Sequence, residues 1–198
     1  MEVVLIVILV LVVVLALYAV AIYNRLVALR NRFLNAFAQV EVQLKRRYDL
    51  IPNLVETAKK YLVHERETLS AVVEARNAAA KGLERMHGDP GDAGAVQALS
   101  RAESGLAGAL GRFNVVVEAY PELKADQNMR QLSEELTSTE NRVAFSRQAF
   151  NDAVMEYNTY RQSFPQTLLA GMFGHREDAA LLQFADSERI QEAPRVSF

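Results

Sequence analysis

Residues 3–22 read VVLIVILVLVVVLALYAVAI, twenty residues without a charge, a proline or a glycine. As a helix rising 1.5 Å per residue, this run is about 30 Å long, the thickness of a bilayer's hydrocarbon core. A core helix of a soluble protein would carry a polar stripe, and this run has none. Its β-branched residues do not favour a strand, because a lone strand in lipid leaves its backbone unpaired. The run therefore predicts a transmembrane helix whose membrane-spanning residues include Val3, Leu5, Leu9, Val13, Leu17, Tyr18 and Ile22. Tyr18 and Tyr23 lie near one end, where amphipathic rings favour the headgroup level. The start, Met1-Glu2, lacks the basic residues of a cleaved secretory signal. Arg25, Arg30 and Arg32 follow the run. The asymmetry predicts a single-pass protein of the inner (cytoplasmic) membrane, N-terminus outside and the rest cytoplasmic.

Beyond residue 22 the chain is long enough for one domain. A net charge of −2 argues against a nucleic-acid partner, which would require a basic face. With no cysteine, neither disulfides nor thiol chemistry are available. Apolar residues at three- and four-residue steps (Leu26, Phe33, Phe37, Val40, Leu44) predict that the anchor continues as one helix to about residue 48. Asp49 and Pro52 read as a break, with Pro in the first turn of a second helix over 50–81 closed by Gly82. Residues 82–92, GLERMHGDPGD, read as a loop. Asp92 caps a third helix over 93–120, which Pro121 ends, and a fourth covers 126–161 with a seam from Met129 to Tyr160. The expected architecture is all-α: an anchor, 1–22, continuing into an antiparallel four-helix bundle, 23–163. Residues 164–198 form a membrane-proximal short helix and a tail with one helical patch at 179–184.

With short loops, alternate turns face the bilayer. This expectation places the 82–92 loop and residues 164–174 beside the membrane, and the turns at 49–52 and 121–126 at the far end. Leu168, Leu169, Met172 and Phe173 then either touch lipid or a neighbouring subunit, or cap the open end of the core.

These residues resemble the LemA family. The likeness runs through YNRLVALRN (23–31), VQLKRRYDLIPNLVETAKKY (42–61), His64-Glu65 and Ala75-Arg76, and resumes at Phe164-Pro165, LAGMFG (169–174) and the closing PRVSF. Phe37 stands where the family often has Trp. The resemblance implies one N-terminal membrane helix, a soluble four-helix bundle, no established catalytic activity and a role in organising membrane.

Chemical motifs are sparse. His64-Glu65 opens like a zinc-protease helix but lacks the second His four residues on. His64, His87 and His175 are far apart in sequence, and no nucleophile–base set or phosphate loop stands out. No catalytic residue, metal or cofactor is expected. Lys45, Arg46 and Arg47 form the densest basic cluster. They read either as a docking site for an unidentified acidic protein partner or as a cationic helix end offsetting its own dipole. Glu65 and Arg76 fall beside the second seam, either in a network reaching Arg30 or Arg142 or exposed at the seam's edge. Two functions follow: a membrane-anchored, self-associating, non-enzymatic scaffold in contact with lipid, or a membrane-tethered adaptor recruiting a partner through 45–47.

Overall fold

The computed structural model describes residues 1–184, which leaves the PRVSF ending outside the described residues. All regular structure among these residues is helical. The first helix, α1 (Glu2–Lys59), is 58 residues long, about 87 Å. No residue before Ile22 is buried, and Ile22 itself is only 1% exposed. Ile22 thus marks the top of the bare segment, where packing against the folded body begins. From there Leu26, Leu29, Phe33, Phe37, Val40 and Leu44 are all buried.

The helix does not break at Asp49–Pro52; Pro52 lies inside α1. A proline in a helix interior lacks the N–H that would bond the carbonyl four residues back. That carbonyl belongs to Tyr48, and Arg76 of the second helix supplies the missing donor: its Nε donates to the Tyr48 carbonyl oxygen at 3.0 Å. Arg76 is therefore part of neither an Arg30 nor an Arg142 network. Replacing Arg76 by Leu should cost about 1 kcal/mol, because the acceptor left unpaired is partly buried. Pro52→Ala restores the backbone donor, so in that background the same change should cost much less. A double-mutant cycle by thermal unfolding in detergent checks this, and additive costs would contradict it.

The first corner is instead residues 60–65, where His64 sits in a turn rather than mid-helix. Leu62 is fully buried there, and the Tyr61 hydroxyl donates to Asp126 Oδ2 at 3.0 Å. That bond holds the Tyr61 hydroxyl above its usual range. The second helix, α2 (Arg66–Gly88), runs through Gly82 instead of stopping at it. A Cβ on Gly82 would lie 3.2 Å from the Leu99 Cα, so this glycine permits close approach of the third helix, α3 (Ala93–Glu118). Asp92 caps α3 by accepting from the Ala95 N–H at 2.6 Å. A short helix, α4 (Pro121–Ala125), begins at Pro121. The long α5 (Gln127–Gln162) starts at Asp126, which accepts from the Met129 N–H at 2.9 Å. That N–H, foremost, holds the Asp126 carboxyl below its usual range. On the α5 seam, Met129, Leu136, Val143, Phe150, Ala153 and Tyr157 are buried. Thr139 and Ser146 are buried among them and bond back to the carbonyls of Glu135 and Val143. The last helix among the described residues is α6 (Gln166–Ala170).

The body is built on α1, which packs along α5 and against α2, while α2 packs along α3. Residue numbers on α1 rise as those on α5 fall: Arg25 and Arg32 meet Glu156 and Arg46 meets Glu135, and just past the end of α1 Tyr61 meets Asp126, the N-cap of α5. Moving the first corner outward by about ten residues lifts α2 and α3 by about 15 Å. The loop after α2 consequently sits against Phe33, since a Cβ on Gly91 would lie 3.8 Å from the Phe33 ring. Phe33 is eleven residues, about 16 Å, beyond Ile22. That loop therefore packs higher on α1 than loop order alone suggests, whereas Phe173, after α6, packs on Tyr23.

Candidate membrane-contact site

Among the described residues one helix is long and apolar enough to cross a membrane, and its most apolar eighteen-residue window is entirely unburied. Val3, Leu5, Leu9, Val13, Leu17 and Tyr18 all stand exposed on it. At the top of this bare segment, α6 packs against α1. The Tyr23 and Phe173 rings meet edge to face at 5.4 Å. Ala170 is buried, and Leu169 and Phe173 are partly buried against the core. Leu168 and Met172 turn the other way and are exposed, as is Phe164 just before α6. The four residues singled out from the sequence thus divide into two that pack inward and two that face out. Phe164 was missed, because it precedes the short apolar run.

An extended strap follows α6 where the sequence suggested a helical patch at 179–184. Asn158 and Asn151, seven residues apart on α5, hold it. The Asn158 side chain donates to the Ala179 carbonyl and accepts from the Ala179 N–H, both at 2.9 Å. Asn151 does the same for Leu182, at 3.0 and 2.8 Å. Seven helical residues and three extended ones both span about 10 Å, so the two amides match the strap's repeat. Backbone groups given to these amides cannot close helical turns. Arg161 bonds Asp178 and the Arg176 carbonyl, and the Arg147 guanidinium lies over the Phe184 ring at 4.6 Å. Asn158→Ala should accelerate hydrogen exchange at the Ala179 amide roughly 5- to 150-fold, the equivalent of about 1–3 kcal/mol. An unchanged rate would show that the amide does not hold the strap.

His175, at the root of the strap, is buried and lies 2.9 Å from the Tyr157 hydroxyl through Nδ1. Burial first, then Arg30 and Arg161, push its pKa below the usual histidine value. The unfolded chain titrates near 6.5. The folded state thus resists protonation, and its full stability is present above about pH 6.5 and is lost as pH falls through the lower folded pKa. Exchange of the strap amides, corrected for intrinsic rates, should rise as pH drops from about 7.5 to about 5.5, and His175→Gln should flatten that rise.

The basic cluster is divided. Arg47 is buried and paired with Glu103 of α3, which also accepts from the Tyr48 hydroxyl. Burial and the Glu103 charge raise the Tyr48 pKa well above the tyrosine range. Lys45 reaches Glu41 at 2.6 Å, and Arg46 reaches Glu135 at 2.8 Å. The cluster lies mid-helix, not at the distal end of α1. Sequence inspection missed Glu103 as its partner, although a signal existed: Glu103 sits four residues after Leu99 and three before Leu106, on an apolar seam.

A charge-free, unburied helix continuous with a folded helical body defines a membrane-associated, all-helical protein. Residues 36–198 match the LemA family, and the chain belongs to it. It is 28% identical over 190 residues to magnetosome protein MamQ 2 of Paramagnetospirillum magneticum, covering 87% of this chain and 65% of that protein. It is 27% identical over 172 residues to magnetosome protein MamQ of Magnetospirillum gryphiswaldense, covering 78% and 62%. The chain thus spans slightly under two thirds of the length of these relatives.

Proposed function

We propose that this chain is a membrane-anchored, non-enzymatic scaffold that self-associates and organises membrane. The observation that carries the reading is the continuity of α1: the helix that meets lipid is the same helix on which the body is built. A rod of this kind couples the bilayer to whatever the body binds. The reversed numbering of α1 against α5 supports treating the soluble part of α1 with α2, α3 and α5 as an antiparallel four-helix bundle. Self-association is supported by apolar side chains left exposed on the body, chiefly Phe145 on α5, 77% exposed, and Val115 on α3. The MamQ relatives are magnetosome proteins by name, which fits a role at a membrane. Arg25, Arg30 and Arg32, directly after the span, support a body on the cytoplasmic side of the inner membrane. The adaptor reading has less support, because one arginine of its basic cluster is buried and the other two cations are bonded to carboxylates of the same chain.

Chemical cross-linking of the full chain in its native membrane, followed by mass measurement, tests the reading. A ladder of homo-oligomers is expected, weakened by Phe145→Glu. A monomer at all densities would overturn the scaffold and favour the adaptor.

A further inference from the structure

We propose that Phe164, Leu168 and Met172 insert into the headgroup–acyl boundary of the bilayer beside the span, giving the protein a second lipid contact. The inference rests on membrane association, not on self-association. The height of the patch is the first argument. The bare part of α1, residues 3–21, is about 28 Å long, and a hydrocarbon core is about 30 Å thick. The boundary therefore falls at Ile22–Tyr23, the level at which Phe173 stacks on Tyr23.

The second argument is the exposure of apolar side chains in and around α6. Ala170 and Leu169 on α6 and Phe173 in the turn after it lie against the body, whereas Phe164 before α6, Leu168 on it and Met172 after it are 78%, 65% and 80% exposed. Exposed apolar patches mark contact sites.

The third argument is rigidity. The patch is held from below by Tyr23 and from above by the strap, through the His175–Tyr157 bond and the paired Asn158–Ala179 bonds. Its side chains are presented, not free to fold back. Lipid is the occupant that this height selects, since any neighbour at Ile22–Tyr23 is first of all the bilayer.

The chain has no tryptophan, so single reporters are clean. Met172→Trp and Leu168→Trp are made separately in the full chain and reconstituted into phosphatidylcholine vesicles with acyl chains brominated at a shallow or a deep position. Val20→Trp in the span and Val63→Trp at the distal corner serve as references. Both patch reporters should emit at blue-shifted wavelengths and lose intensity most to the shallow bromines, while the Val63→Trp reporter is unaffected. Circular dichroism confirms that each variant is folded. Water-like emission without quenching at both positions would overturn the proposal. So would blue-shifted emission that bromines do not quench and that changes with protein-to-lipid ratio, which would assign the patch to a second copy. Cross-linking of the same samples reads the oligomeric state separately, so a failed scaffold reading and a failed lipid contact give different results.

Discussion

Glu103→Ala should lower the unfolding midpoint of the detergent-solubilised chain by roughly 6–20 °C. The change leaves Arg47 buried with no counter-charge, which costs about 3–5 kcal/mol, and in a domain of this size each kcal/mol moves the midpoint by about 2–4 °C. Glu103 is 2% exposed and takes bonds from both Arg47 and Tyr48. Arg47 Nε and Gln43 Oε1, one turn apart on α1, are buried without a protein partner, so the ion pair is the main compensation available to that guanidinium. The double change Arg47→Met with Glu103→Leu should recover most of the loss, because it removes both buried charges together. A loss of only a degree or two for Glu103→Ala alone would mean that Arg47 escapes to solvent. The pair also ties α3 to α1 at one register, a role the double variant would test through altered cross-links between those helices.

Phe150→Ala should cost about 3–5 kcal/mol, again by thermal or denaturant unfolding of the full chain. Phe150 is fully buried and packs edge-on against Phe33 at 6.4 Å and Phe37 at 5.9 Å. Tyr157 extends the cluster from Phe33 toward His175 and the strap. The substitution leaves a cavity where α5 meets α1, the most extensive helix contact in the body. Phe150→Leu fills most of that space and should cost far less. Similar costs for both would show that the ring geometry, and not the volume, matters.

Much of this was legible in the sequence, for local reasons. The anchor, the α1 and α5 seams, and the cap at Asp92 all follow from apolar spacing and side-chain chemistry within a few residues. What was not legible depends on distant partners. Pro52 reads as a break unless Arg76 is known to reach Tyr48. The corner at 60–65 has neither glycine nor proline; Leu62 burial and the Tyr61–Asp126 bond set it from 65 residues away. Gly82 reads as a cap until Leu99 is placed beside it. The strap reads as helix until Asn151 and Asn158 claim its backbone. At the candidate site, residues 168–173 are apolar or small at every position, so periodicity alone gave no inner or outer side. The sequence also offered Arg47 as a surface cation, although its place between Leu44 and Ile51 on the α1 seam already pointed inward.

The continuity of α1 from lipid into the body is the claim on which the rest stands, and its length tests it. Leu5 and Val42 are exposed, 37 residues apart, on either side of the junction at Ile22–Tyr23. In a chain without native cysteine, Leu5→Cys and Val42→Cys accept paired spin labels. Electron–electron distance measurement in liposomes, at protein dilution that isolates single chains, should return one narrow distribution near 55 Å, the length of 37 helical residues. A broad distribution, or one centred well below that length, would mean that the helix bends or breaks at the membrane surface, and the placement of α6 beside the bilayer would fall with it.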